Sequence, residues 1–169
     1  DLFQEIESFL SSHPQSFLRL GTGELSDSLA LDTVFPISPI LIPFFAQRNH
    51  AVLELKTKSA EVDHLLHLDH RKRTIISWSL NPPQMIEGEE TGTASLERRI
   101  GAAQKCQEKG YPLGFHFDPI IFHQGWEKGY QETIVSLFKK IDSKGVVWIS
   151  LGGFRYPPQL KAIAKERFP

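Results

Sequence analysis

Cysteine is nearly absent from this sequence of 169 residues, which contains only Cys106. A single cysteine excludes an intramolecular disulfide and any metal site built from several cysteines of these residues. Because disulfides are rare in reducing compartments, this scarcity favours a cytoplasmic protein. Cys106 falls in the middle of a predicted helix, where a cysteine usually acts as a small apolar residue.

Long hydrophobic runs and an excess of charge of one sign are also missing. The longest apolar stretch, 36–46, is about half of the roughly 20 residues that a membrane span requires and is interrupted by prolines, so we expect no membrane partner. The net charge of -1 and the pI near 6.7 give no overall attraction to nucleic acid. There is no initiator methionine and no signal peptide, and Asp1 opens directly into an amphipathic pattern, which indicates a piece of a longer protein.

Helical and strand patterns alternate along the chain. The spacing of apolar residues predicts helices over 1–12, 38–48, 60–67, 95–109, 129–143 and 157–168, and strands over 16–20, 50–56, 74–80, 113–118 and 146–150. Ser95 is a suitable N-cap for the helix that it opens, and Gly110 a suitable residue after that helix.

This strict alternation is typical of a parallel sheet with right-handed crossovers. The first helix has no strand before it, which implies that a first strand is missing. We therefore expect one α/β domain over 1–169, with a parallel sheet and outer helices. It is either a partial (β/α)6 TIM-like barrel that lacks its first strand, or an open doubly wound sheet.

The strand 113–118 carries two polar side chains on one face. Phe115 and Phe117 point one way, and His116 and Asp118 the other. Burying a histidine and a carboxylate without partners is costly, so both must be satisfied there. A ligand contact and an ordinary hydrogen-bonded core role are both open for His116.

The other predicted strands also end in small or polar residues. Parallel sheets bind their ligands at this carboxyl edge, although each single residue has an ordinary loop role as its alternative. Glycines permit close approach to the backbone, Glu24 suits an ammonium group, and Lys58 suits a carboxylate. The residues concerned are Gly21, Gly23, Glu24, Ser26, Asp27, Lys56, Lys58, Ser59, Ser77, Ser79, Asn81, Ser150, Gly152, Gly153 and Arg155.

Six motifs in the sequence carry a family resemblance: TKSAEVDHLL (57–66), SLN (79–81), GTASLERRI (92–100), AAQKCQEKGY (102–111), GFHFDPI (114–120) and HQGWEKGY (123–130). Together they resemble the spore photoproduct lyase branch of the radical S-adenosylmethionine (SAM) enzymes. The resemblance implies a (β/α)6 partial barrel that holds SAM and a [4Fe-4S] cluster, and reductive cleavage of SAM to a 5′-deoxyadenosyl radical. In that family a CxxxCxxC loop after the first strand holds the cluster. That loop is absent here, so no metal ligand is expected within these residues.

The same resemblance assigns roles to individual residues and partners. It implies that the segment 21–24, with Gly21, Gly23 and Glu24, contacts the SAM amino group, and that Lys58 lies near the SAM carboxylate. Ser26 and Asp27 match the lyase pattern that follows this segment. Ser79 and Asn81 match a SAM-binding strand end, and Asp118 is expected near the adenosyl group. The implied partners are SAM, a reductant such as flavodoxin or ferredoxin, and an unidentified substrate for which nucleic acid is one option.

One position departs from the lyase pattern. Lyases of this family carry a hydrogen-donating cysteine two residues before the serine that Ser26 matches, and here that residue is Glu24. The resemblance therefore predicts a reaction other than thymine-dimer repair, with Glu24, His116 and Asp118 as candidate catalytic residues. The alternatives are a cluster-free barrel hydrolase or isomerase that uses His116 with Asp118, and a non-catalytic binding module.

Overall fold

The computed structural model describes residues 2–23 and 26–167. Its helices are α1 (Leu2–Ser12), α2 (Ser38–Ala46), α3 (Pro83–Glu89), α4 (Leu96–Glu108), α5 (Trp126–Phe138) and α6 (Pro158–Arg167). Its strands are β1 (Leu18–Thr22), β2 (Ala51–Thr57), β3 (Thr74–Ser79), β4 (Leu113–Phe117) and β5 (Val146–Leu151). Short 3-10 turns lie at Asp63–Leu65 and Ser143–Gly145. Within the described ranges, no helix combines the length and apolar character that crossing a bilayer requires.

All five strands form one parallel sheet in the order β1-β2-β3-β4-β5. Each strand lies beside its predecessor in the chain, so the strand order never reverses. A doubly wound sheet requires such a reversal, whereas a barrel adds its strands in one direction. The topology therefore confirms the partial barrel, and the doubly wound alternative is wrong.

The two faces of the sheet differ in polarity. One face contributes Leu53, Ile76, Trp78 and Phe115 to a hydrophobic core shared with the helices. Glu54, Ser77 and His116 occupy alternate positions on the central strands, and all three are buried. Period-2 alternation explains the separation, because successive strand residues point to opposite sides. The polar face is the candidate interior of the barrel.

Helix α4 has the boundaries that its end signals predict. The Ser95 hydroxyl accepts a hydrogen bond from the backbone N–H of Arg98 at 3.4 Å, and Gly110 has a φ of 85° just after the helix. Cys106, on the buried side of α4, belongs to the core, which confirms its apolar role.

Two helical predictions are wrong in extent, and one helix was not predicted. The pattern at 60–67 yields only the turn Asp63–Leu65, because one turn already buries Val62 and Leu65. The helix expected over 129–143 begins earlier and ends earlier, as α5. Helix α3 was not predicted, since the prolines at 82 and 83 and the glycine at 88 resemble a loop and the helix buries only Ile86.

Candidate functional site

The carboxyl edge of the sheet encloses a cavity of about 240 Å³. The structure brings together here residues from three strand ends and from the loop after β1. These residues are Gly23, Ser26, Asp27, Lys56, Thr57, Lys58, Ser79 and Asp118. Most were singled out in the sequence as SAM contacts, and that assignment stays a prediction. Gly21 lines a neighbouring cavity, and Glu24 lies outside the described residues.

Asp27 shapes the wall of this cavity. Its carboxylate accepts hydrogen bonds from the backbone N–H groups of Leu29 and Ala30, both at 2.9 Å. It also accepts from the Thr57 hydroxyl and from the backbone N–H of Lys58, both at 2.6 Å. Four donors occupy both carboxylate oxygens, so Asp27 ties the loop after β1 to the end of β2.

Gly23 is the point at which the loop leaves β1. Its φ of 87° lies in the left-handed region. A Cβ atom there would stand 2.6 Å from Ser28 Oγ and 2.8 Å from the carbonyl oxygen of Lys56. Any side chain would therefore disturb the cavity wall through both strain and overlap.

A buried carboxylate, Glu90, lies beside the cavity and binds two of the predicted contacts. Its Oε1 lies 3.1 Å from Lys58 Nζ and accepts a hydrogen bond from Asn81 Nδ2 at 2.7 Å. Burial by itself would raise the pKa of Glu90, but hydrogen bonds from Asn81 and Arg99 hold it below its ordinary value. The amide oxygen of Asn81, Oδ1, accepts a hydrogen bond from the Tyr130 hydroxyl at 2.7 Å. Asn81 is thus held behind the cavity wall and is absent from its lining.

A second cavity, of about 450 Å³, opens on the polar face of the sheet. Its lining combines cations with hydrogen-bonding groups and one aromatic ring. The residues are Arg19, Gly21, Thr22, Glu54, Lys56, His116, Asp118, Trp148, Ser150 and Arg155. Lys56 and Asp118 line both cavities, so the two spaces adjoin each other.

His116 is satisfied by residues from the neighbouring strands. Its Nε2 lies 2.8 Å from Glu54 Oε1, and its Nδ1 lies 2.6 Å from Ser150 Oγ. Ser77 Oγ donates to the same Glu54 oxygen at 2.7 Å, and Arg19 lies 3.3 Å from the other. Burial alone would raise the pKa of Glu54, but hydrogen bonds from His116 and Ser77 and the charges of His116 and Arg19 hold it below its ordinary value.

Glu54 was not predicted from the sequence as a site residue. The available signal was a single carboxylate inside the apolar stretch 51–55 of β2. A charged residue in such a strand is kept only if the fold supplies partners.

Asp118 does not pair with His116, although the hydrolase or isomerase alternative requires the two to act as an acid–base pair. It lies one residue beyond β4, and its Oδ2 accepts a hydrogen bond from Arg155 Nη2 at 2.7 Å. Both side chains face the second cavity, as the alternation predicted, but each has its own partner. The register of the sheet places Ser150 opposite His116 and leaves Asp118 at the open edge.

The cluster that the resemblance implies does not fit the thiols of this sequence. The only cysteine, Cys106, is fully buried in α4, and burial raises the pKa of its thiol to about 12. Among the described residues, no group of three or more His, Cys, Asp or Glu side chains is arranged to hold a metal ion. Two histidines near the turn Asp63–Leu65 contact protein groups instead of a metal ligand set: His64 Nε2 lies 2.7 Å from Asp32 Oδ2, and the His70 ring stacks on Tyr111. No reaction step through a cluster is therefore assigned to these residues.

Comparison with known proteins identifies the family. The sequence profile of spore photoproduct lyase matches residues 1–169. The chain belongs to the spore photoproduct lyase family. The resemblance seen in its motifs is thereby confirmed.

Curated relatives agree with this membership. The chain is 34% identical over 175 residues to spore photoproduct lyase of Bacillus subtilis (strain 168) and 29% identical over 171 residues to that of Geobacillus sp. (strain Y412MC61). Each alignment covers 100% of this chain and 50% of the relative. The chain thus spans about half the length of these curated relatives.

Solved structures of spore photoproduct lyase share the fold. A mutant with bound AdoMet and dinucleoside spore photoproduct superposes with a TM-score of 0.89 at 29% identity. A complex with dinucleoside spore photoproduct gives a TM-score of 0.87 at 28% identity. Both matches cover 99% of this chain and 50% of the neighbour.

Proposed function

We propose that this chain is the SAM-binding part of a radical SAM enzyme of the spore photoproduct lyase family. The cavity at the carboxyl edge is the proposed SAM site. The observation that carries the proposal is the convergence of Gly23, Ser26, Lys58, Ser79 and Asp118 on that cavity. In the sequence these residues follow or lie at the ends of four different predicted strands. A solved structure of the same fold contains bound AdoMet.

The lining offers groups that match the charged parts of SAM. The Lys58 side chain is 38% exposed, and its ammonium group keeps donors for a carboxylate beyond its contact with Glu90. Asp118 supplies carboxylate oxygens that accept hydrogen bonds from ribose hydroxyls or from an ammonium group. Ser79 adds a hydroxyl between them, and the glycine at 23 lets a ligand approach the backbone. In this proposal these residues bind and orient SAM.

For the whole protein we propose reductive SAM cleavage, with an electron supplied through a [4Fe-4S] cluster held outside these 169 residues. Because Glu24 stands where the family pattern has its hydrogen-donating cysteine, we propose a reaction other than thymine-dimer repair. The cluster-free hydrolase is less well supported, since His116 and Asp118 have separate partners.

The proposal is tested by calorimetric titration of the protein with SAM. We expect saturable binding, and we expect Lys58→Met to weaken it about tenfold through loss of one charged hydrogen bond, about 1.4 kcal/mol. Lys72→Met is the matched control, because Lys72 is exposed in the turn before β3, at the opposite edge of the sheet. Unchanged affinity in Lys58→Met, or equal losses in both variants, would contradict this site. Formation of 5′-deoxyadenosine on anaerobic reduction of the whole protein tests the reaction.

A further inference from the structure

A buried ion pair lies behind the proposed SAM cavity. Arg99 of α4 is fully buried, and its Nη2 donates to Glu90 Oε2 at 2.6 Å. Arg99 Nε also donates to the Ala94 carbonyl at 2.7 Å, and Nη2 to the Thr93 hydroxyl at 2.7 Å. An arginine fixed by several hydrogen bonds in this way holds its carboxylate partner in place.

This pair holds the ends of two neighbouring strands. Arg99 Nη1 donates to the backbone carbonyl of Ser79 at 2.8 Å, at the end of β3. Glu90 Oε1 contacts Lys58 Nζ, just beyond β2, and Asn81 Nδ2, just beyond β3. Three residues predicted to bind SAM are therefore attached to one charge pair that does not itself line the cavity.

We infer that Glu90, fixed by Arg99, is a positioning residue that orients Lys58 for SAM. The inference rests on the proposed function, because it assigns a role only if SAM occupies the neighbouring cavity. Lysine has a long side chain with many rotamers, and holding it in one orientation before binding reduces the entropy lost when the ligand arrives. Glu90 supplies that restraint without touching the ligand.

The charge of Glu90 and its positioning role are separated by the ligand, not by the sign of the change in Kd. SAM carries a sulfonium and an ammonium group against one carboxylate, so a nearby negative charge attracts SAM as a whole. If Glu90 acted only through its charge, its neutralisation would weaken the binding of decarboxylated SAM at least as much as that of SAM. If Glu90 positions Lys58, the loss falls mainly on SAM, because only SAM has the carboxylate that Lys58 would bind.

The experiment compares SAM affinity in Glu90→Gln with that in Glu89→Gln, in the whole protein. Glu89 is exposed at the end of the same helix, so its variant removes an equal charge without disturbing the network. We expect the Kd for SAM to rise about tenfold in Glu90→Gln and to stay unchanged in Glu89→Gln. Decarboxylated SAM lacks the group that Lys58 would bind, so its Kd should rise less. A tighter or unchanged Kd for SAM in Glu90→Gln would overturn the inference.

A second variant covers the case in which Glu90→Gln does not fold, since Arg99 would then lose its counter-ion. Glu90→Asp keeps the charge but shortens the reach, and we expect it also to weaken SAM binding; an unchanged Kd would refute positioning.

A measurement without ligand separates this inference from the proposed function. Acetic anhydride labelling of the free protein should modify Lys58 faster in Glu90→Gln than in wild type, with Lys56 near the end of β2 as the internal reference. Equal Lys58 labelling would refute the restraint by Glu90, whatever the SAM result. Failure of the wild type to bind SAM, with faster labelling in the variant, would refute the proposed function and leave the restraint established.

Discussion

Replacing Glu54 with glutamine tests the polar network on the inner face of the sheet. Glu54 Oε1 binds both His116 and Ser77, and only 8% of the Glu54 side chain is exposed. The amide of Gln keeps one acceptor oxygen but replaces the other oxygen with an NH₂ group, which cannot accept a hydrogen bond. With the amide oxygen at the Oε1 position, both buried hydrogen bonds remain but their acceptor is no longer charged, and the NH₂ group faces Arg19.

The expected loss of stability follows from these contacts. A hydrogen bond to a charged group contributes about 1.5–3 kcal/mol and one to a neutral group about 0.5–1.5 kcal/mol, so losing the charge of Glu54 weakens each of the two buried bonds by about 1–1.5 kcal/mol. The Arg19 contact adds little, because 54% of the Arg19 side chain is exposed. We expect a loss of about 3 kcal/mol in the free energy of unfolding at pH 7. At about 2–4 °C per kcal/mol for a chain of this size, the Tm should fall by roughly 6–12 °C.

The loss should also depend on pH. The pKa of Glu54 is lowered in the folded protein from its ordinary value of 4.5. The ionised carboxylate therefore stabilises the fold above that ordinary value, and the contribution disappears as the pH falls through the lower folded pKa. The difference in unfolding free energy between wild type and Glu54→Gln should be full at pH 7 and should shrink progressively below about pH 4.5.

Urea denaturation at several pH values measures this difference, with Glu87→Gln on the exposed side of α3 as the control. Glu87→Gln should change the unfolding free energy by less than about 0.5 kcal/mol. A double-mutant cycle with His116→Asn should give a coupling of about 1–3 kcal/mol, since the two side chains are in direct contact. Equal stability of Glu54→Gln and wild type at pH 7 would show that the network does not hold the central strands together.

Two further predictions concern single residues. Cys106 should react with a thiol reagent at pH 8 only after unfolding, because it is fully buried and burial raises the pKa of its thiol to about 12. Rapid labelling of the native protein would contradict this burial. Gly23→Ala should lower both stability and SAM affinity, whereas Gly92→Ala, which has a similar φ of 78° but nothing within 4 Å of the added Cβ, should lower stability alone. Equal SAM affinity in the two alanine variants would show that close packing at Gly23 does not shape the cavity.

Element types and the location of the site could be predicted from the sequence because their signals are local. The Ser95 cap and the Gly110 terminus depend on neighbours in the chain, and both are present in the structure. Polar residues at successive strand ends also indicated the edge at which the structure has the candidate cavity, since parallel strands all end on the same side. Where local signals were weak, as at 60–67 and at α3, the predictions were wrong.

The partners of the site residues could not be predicted, because they come from distant parts of the chain. His116 and Glu54 are 62 residues apart, and only the register of β2, β3 and β4 brings them within 2.8 Å. Lys58 and Asn81 were recognised as polar strand ends, but their link through Glu90 depends on the packing of α3 and α4 behind the sheet.

The sequence by itself determined the alternation of helices and strands, the polar carboxyl edge and the family motifs. It also placed a histidine and a carboxylate on one face of the strand 113–118. Only the tertiary structure decided that His116 pairs with Glu54 and Ser150 while Asp118 pairs with Arg155. The reason is physical: side-chain direction follows from backbone period, but pairing follows from strand register and helix packing, which the whole chain sets together.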